Sequence, residues 1–192
     1  MKKKIKLKNG EKVIIRHLKE SDKDGVWKNF NDVLEEGTYL PVFTPVILEV
    51  EKDTWYENIK REKEICIIAE IPTLKSPFNI IGQCEISNLE WEAATHVGNL
   101  GIIVNQKYRD MGIGFNLIDL AIRESKILNN KEKIVLSCFS TNARAIHLYK
   151  KLGFQVGGVR KKQFYMDGVY YDELIMELWI EDYLEKHKSV QK

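Results

Sequence analysis

Residues 101–114 read Gly-Ile-Ile-Val-Asn-Gln-Lys-Tyr-Arg-Asp-Met-Gly-Ile-Gly. The apolar run Gly101-Ile102-Ile103-Val104 has strand character, and the polar stretch from Asn105 ends it. The segment Arg109-Asp110-Met111-Gly112-Ile113-Gly114 follows. After it, Leu117, Leu120, Ala121 and Leu128 fall on one side of a helix. Glycines in such a strand–loop–helix passage let backbone approach a ligand closely and turn successive N–H groups toward it. The helix N-terminus adds a partial positive charge and Arg109 a full one, which suits a pyrophosphate. A tight strand-to-helix turn needs glycines too, so the segment alone leaves a purely structural reading open. A dinucleotide fingerprint does not fit, because Leu117 stands where its third glycine belongs.

Downstream, Lys133 to Phe139 reads as a strand. Asn142 then caps a helix in which Ala145, Leu148, Tyr149 and Leu152 recur on one face. Gly153 ends that helix, and Phe154 to Val156 start a strand. A last hairpin turns on Asp167-Gly168, between strands Gln163–Met166 and Val169–Trp179. Upstream, residues 1–18 read as a hairpin turning on Asn9-Gly10. Ser21 or Asp22 caps a helix running to about Leu34. Residues 37–50, with Pro41 and Pro45, read as a loop, and Lys52 to Glu64 as a charged helix. Strands Ile65–Ile71, Ile80–Leu89 and His96–Val104 lead back to the opening segment. The expected organisation is a single domain over residues 1–180 and a polar helix or tail over 181–192. Apolar strands with helices between them suggest a mixed sheet covered on both faces.

Composition mostly excludes. The chain has 192 residues, with 30 basic against 28 acidic side chains and a formal net charge of +2. So small an excess does not suggest a nucleic-acid partner. The cysteines, Cys66, Cys84 and Cys138, are odd in number and lack metal-like spacing. Each sits in an apolar strand-like run, as a reduced, buried thiol does. Four scattered histidines lack the i, i+4 spacing of a metal pair. No apolar stretch approaches the roughly 18 residues of a membrane span, and no apolar segment follows the basic N-terminus. A cytoplasmic protein without metal or membrane partner is expected.

From Ile80 onward the chain resembles the GNAT superfamily of N-acetyltransferases. The Arg109–Gly114 segment is similar to the family's R/Q-x-x-G-x-G/A motif. The run Ser140 to Phe154, STNARAIHLYKKLGF, is similar to the family's asparagine–tyrosine helix. Ile15-Arg16 with Asp22 resembles its first strand and helix entry. Gly158 to Lys161, the Asp167-Gly168 turn and Tyr171-Asp172 resemble the ending of its amino-acid and ribosomal-protein acetyltransferase branch. The resemblance implies an α/β (α+β) fold: a mixed, mostly antiparallel twisted sheet with a splayed central strand pair and about four helices. It implies acetyl-CoA as cosubstrate, without a metal. Ile102, Ile103 and Val104 would pair with its pantetheine arm, with the Val104 N–H polarising the thioester carbonyl. Arg109, Asp110, Met111, Gly112, Ile113 and Gly114 would hold the pyrophosphate. Asn142 would lie near the pantetheine as well as capping its helix. Tyr149 would sit near the sulfur and protonate the departing thiolate. Lys150 and Lys151 would be within reach of the phosphates.

The implied reaction is attack by a primary amine on the thioester, without a covalent enzyme intermediate. A lysine-type amine has a pKa of about 10.4 and must lose a proton first, so a base is needed. Ribosomal-protein alanine acetyltransferases carry a glutamate where this chain has Ser137. Glu85 is the expected substitute, ahead of His96. The acceptor would be shaped by residues 31–46, with Glu35, Glu36, Tyr39 and Phe43. It would be a small amine or a protein amine, and a homodimer is compatible with either. A non-catalytic acyl-CoA-binding module is the third reading.

Overall fold

The computed structural model describes residues 2–188. Eight strands form one sheet: β1 (Lys2–Lys6), β2 (Lys12–His17), β3 (Ile65–Glu70), β4 (Ile80–Asn88), β5 (Val97–Val104), β6 (Lys133–Phe139), β7 (Gln155–Met166) and β8 (Val169–Trp179). Among the described residues, five α-helices accompany them: α1 (Lys23–Leu34), α2 (Glu49–Arg61), α3 (Ile113–Asn129), α4 (Ala143–Leu152) and α5 (Ile180–Lys186). The sheet order is β1-β2-β3-β4-β5-β6-β8-β7. Every pair is antiparallel except β5 with β6.

Alternation along the strands sends two apolar sets to opposite faces. Ile15, Ile67, Cys84, Ile86, Leu100, Ile134 and Met176 form one core with Leu117, Ile118 and Ala121 of α3 and Tyr149 and Leu152 of α4. Cys66, Ile68 and Ile80 face the other way, against Val26 of α1 and Ile59 of α2. Helices therefore cover both faces, as the mixed pattern of the sequence implies.

Several element ends differ from expectation. Helix α2 begins at Glu49, three residues early, because Glu51 turns its carboxylate back onto the Leu48 N–H at 3.2 Å. That is the reciprocal half of a capping box. The two short strands expected around residues 154–166 are one long strand, β7, carrying irregularities at Val156/Gly158 and Arg160/Phe164. Helix α5 is not merely polar: Ile180 and Tyr183 are buried, and the Tyr183 hydroxyl donates to Asp119 of α3 at 2.7 Å. Of the 181–192 segment, residues 189–192 lie outside the described residues.

Asp22 precedes α1 but does not cap it through its side chain. Its carboxylate, 4% exposed, accepts from Arg16 Nη1 at 2.6 Å and Nη2 at 2.9 Å and from the Lys19 N–H at 2.8 Å. Arg16 Nε also donates to Glu70 at 2.9 Å, so one guanidinium ties β2, β3 and the entry to α1 together. Asp22, ahead of desolvation and Glu70, sets the balance that raises the Arg16 pKa, so this cation stays charged. Arg16→Ala should lower unfolding stability by about 3–5 kcal/mol, since it strands a buried carboxylate. Urea denaturation at neutral pH checks this, and an unchanged midpoint would show that the pair contributes nothing net.

Candidate active site

Strands β5 and β6 pair only at Val97 with Lys133, Gly98 with Ile134 and Asn99 with Val135. Beyond Asn99 each continues on its outer side only. Strand β5 stays on β4 as far as Val104 opposite Gly82, and β6 stays on β8 as far as Phe139 opposite Glu173. A V-shaped gap opens between them through the middle of the sheet. The Asn105 N–H donates to the Ile81 carbonyl of β4 at 2.9 Å. By the two-residue alternation of an antiparallel ladder, the N–H groups of Ile102 and Val104 point the other way, into the gap. Ile103 faces β4 with its backbone, so only alternate members of the expected trio offer backbone groups to the gap.

The loop after β5 runs directly to the start of α3. Asp110 (φ +61°) and Gly112 (φ +83°) both take left-handed conformations, and Gly112 is the N-cap of α3. The first N–H groups of a helix lack intrahelical acceptors, so the loop and first turn of α3 offer donors beside the mouth of the gap. The side chains divide the work. Ile113 is buried in the core, Met111 is half-buried against it, and Asp110 is exposed beside Arg144 Nε at 3.4 Å. Gly114 also lets α4 approach closely: a Cβ there would lie 3.0 Å from Leu148 Cδ2, so that side chain would have to shift.

The Arg109 side chain is already engaged. Its Nε donates to the Val104 carbonyl at 2.9 Å, and Nη1 and Nη2 donate to the two carboxylate oxygens of Glu36 at 2.7 Å each. Nothing in the sequence pairs residues 36 and 109. Only the fold brings them together.

On the α3/α4 face of the gap, Asn142 Oδ1 accepts from the Ala145 N–H at 3.1 Å and so caps α4. The α4 residue Tyr149 is 6% exposed and packs edge-on against Phe154 at a centroid distance of 5.9 Å. Burial pushes its phenol well above the usual range, helped by the Cys138 thiol of β6 and the Cys84 thiol of β4. The phenol therefore keeps its proton at any physiological pH. Lys150 and Lys151 are exposed on α4, with Lys151 Nζ lying 5.8 Å from the Phe115 ring centre.

Glu85 lies on the opposite face, on β4 between Cys66 of β3 and Gly101 of β5. It is half-buried, and its carboxyl is 3.5 Å from Trp55 Nε1 of α2 and 4.0 Å from Cys66 Sγ. Burial raises its pKa to about 7, the Trp55 contact lowers it, and the Glu64 carboxylate raises it again. Gly101 leaves open space at its own Cβ position, so the face of β5 beside Glu85 is clear. An open groove of about 910 Å³ runs past Glu85, walled by Trp55 and bordered by Glu51, Glu62, Glu64 and Glu90. Arg61, the basic residue on its rim, is paired with Glu62 at 2.9 Å. Ser137 is exposed on β6, and His96 lies just before β5, at the closed end of the strand pair. Trp55 was not legible as a partner of Glu85, since its four-residue spacing from Ile59 reads simply as a helix face.

Residues 37–48 cross this face as a strap. Asn31 of α1 holds it by two hydrogen bonds to Val46, at 2.8 and 3.0 Å. Glu36 reaches Arg109 beyond the end of β5. Tyr39 reaches the end of β6, where its ring lies 6.1 Å from that of Phe139 and its hydroxyl is 3.4 Å from the Thr141 carbonyl. Residues 36–39 thus span the mouth of the gap.

Residues 34–154 match the family model described as the acetyltransferase (GNAT) family. Spermidine N(1)-acetyltransferase of Escherichia coli K12 is 32% identical over 88 residues, which cover 46% of this chain and 47% of that protein. The L-amino acid N-acetyltransferase AaaT of the same strain is 30% identical over 98 residues, covering 51% and 60%. The chain thus spans about half the length of the curated relatives it matches. In fold, the yncA protein of Salmonella typhimurium, solved with its cofactor acetyl-CoA, is similar with a TM-score of 0.78 at 18% identity, covering 88% of this chain and 94% of that one.

Proposed function

The chain belongs to the GNAT acetyltransferase family, and from that premise we propose that it transfers the acetyl group of acetyl-CoA to a primary amine by direct attack. The observation that carries this reading is the gap between β5 and β6, whose open backbone edge leads to the left-handed loop and N-terminus of α3. A thioester arm paired along β5 would place its diphosphate at that helix terminus, where backbone N–H groups and the helix dipole favour anions.

The two faces take separate roles. Val104 donates its N–H to the thioester oxygen and stabilises charge developing there. Glu85, from the α1/α2 face, accepts the proton of the attacking amine, directly or through water. Its pKa of about 7 suits a base at neutral pH. Tyr149, from the α3/α4 face, donates its proton to the sulfur as the carbon–sulfur bond breaks. A thiol pKa of about 8.5 makes that help modest in driving force but timely. Amine and thiolate therefore sit on opposite sides of the sheet, which the gap connects. Asn142, by capping α4, holds Tyr149 in place.

The acceptor we propose is a small amine carrying more than one positive charge. The glutamates bordering the groove beside Glu85, with Arg61 already paired, favour a cationic guest. A peptide N-terminus is the second reading, favoured by exposed Phe43 and Ile47 on the strap. The free thiols Cys66, Cys84 and Cys138 support a reducing, cytoplasmic setting. A thiol-release assay with acetyl-CoA and a panel of polyamines, amino acids and peptides tests the reading. Polyamines should give the highest kcat/KM. Peptides winning would move the acceptor to the second reading, and acetyl-CoA binding without release on any amine would leave a non-catalytic binding module.

A further inference from the structure

Arg109 brings a full positive charge to the Arg109–Gly114 segment that fits the diphosphate, yet its guanidinium is already engaged in a closed set of contacts within the chain. Both Nη atoms are held by Glu36 in a bidentate pair at 2.7 Å, and Nε is held by the Val104 carbonyl at 2.9 Å. Neither partner is loosely exposed, with side chains 20% and 15% accessible. A planar fork matched to a carboxylate gives fixed geometry as well as charge. The third contact falls on Val104, whose N–H points into the gap. The other end of the Glu36 segment is fastened to β6 through Tyr39, by its contacts with Phe139 and Thr141.

We propose that Arg109 is a positioning residue and not a phosphate ligand: with Glu36 it forms a clasp that fixes the end of β5 at Val104 and fastens the 36–39 strap across the mouth of the gap. The clasp joins the two substrate sides. It sets where the Val104 N–H points, and it anchors the loop that closes the acceptor face. This rests on the acetyl-transfer reading above for what Val104 does. The clasp itself is independent of that reading.

Arg109→Lys and Glu36→Gln separate the roles. Lysine keeps the positive charge and serves phosphate as a point charge, but cannot make the fork. Two donors are compared, acetyl-CoA and S-acetylpantetheine, which lacks the diphosphate. Both variants should lower kcat on the order of 10²-fold, as a misplacement of about 1 Å does. The loss should be equal for the two donors, and the ratio of CoA to pantetheine affinity should stay within threefold of wild type. A phosphate ligand predicts the reverse: Glu36→Gln nearly silent, Arg109→Lys mild, and any loss confined to acetyl-CoA with a fall in that affinity ratio. Either that pattern or unchanged kinetics in both variants overturns the clasp. The affinity ratio is read without turnover, so it decides the role of Arg109 even if no acetyl transfer is found. In that event the acetyl-transfer reading alone has failed. Thermal midpoints of both variants within a few degrees of wild type exclude misfolding as the cause.

Discussion

Tyr149→Phe should lower kcat by about 10²–10⁴-fold while leaving the dissociation constant for acetyl-CoA nearly unchanged. The ring packs edge-on against Phe154 in the core of the α3/α4 face, and phenylalanine fills the same volume. What the substitution removes is the hydroxyl and its proton. Burial holds that proton firmly, which suits the proposed donation to a leaving thiolate and not a role as base. A wild-type pH dependence accompanies this: no limb from Tyr149 ionisation should appear up to pH 10, because its pKa is raised out of that range. A better leaving group should suppress the defect, so acetyl donors with acidic thiols should restore much of the loss. Wild-type turnover in the variant would remove Tyr149 from the acid role. An equal loss with every donor would make it a positioning group.

Glu85→Gln should be comparably damaging, by about 10²–10⁴-fold in kcat/KM near pH 8, and should also change the shape of the pH profile. The sign follows from the raised carboxyl. Below about pH 7 Glu85 is protonated and cannot accept the amine proton, so the wild-type rate falls with acidification through that value. Glutamine cannot ionise, so this limb disappears and only the limb due to the substrate amine, at higher pH, remains. Trp55→Phe offers a graded check. The Trp55 N–H contact lowers the Glu85 pKa, so its loss should move the acidic limb upward. An unaltered profile in Glu85→Gln would place the base elsewhere.

Tyr149 was named through the resemblance of the Ser140–Phe154 run to the family's asparagine–tyrosine helix, and Glu85 as the stand-in for the glutamate that Ser137 replaces. Tyr149 sits in the run Ser140–Phe154, where helix periodicity, an asparagine cap and a terminal glycine coincide, and the structure shows that helix with that cap. The β5-to-α3 passage was equally legible, since an apolar run, two glycines and an amphipathic helix follow one another within 30 residues. Glu85 is a different case. Its strand was evident, but its environment depends on Trp55, Cys66 and Gly101, from three other elements. The boundaries that shifted share a cause. Helix α2 starts early because of a side chain-to-backbone contact, and β7 runs on because β8 lies beside it and supplies its ladder.

The sequence by itself determined the strand–glycine loop–helix unit, the capped helix that presents Tyr149, and the apolar alternation that buries both faces of a mixed sheet. These depend on neighbours a few residues apart, whose geometry backbone sterics and periodicity dictate. Only the tertiary structure decided where β5 and β6 part, that Glu85 and Tyr149 lie on opposite faces of the sheet at that parting, and that Arg109 pairs with Glu36, 73 residues away in the chain. The reason is physical: an ion pair, a desolvated carboxyl and an unpaired strand edge are properties of what packs alongside. No local pattern encodes a neighbour that folding alone supplies.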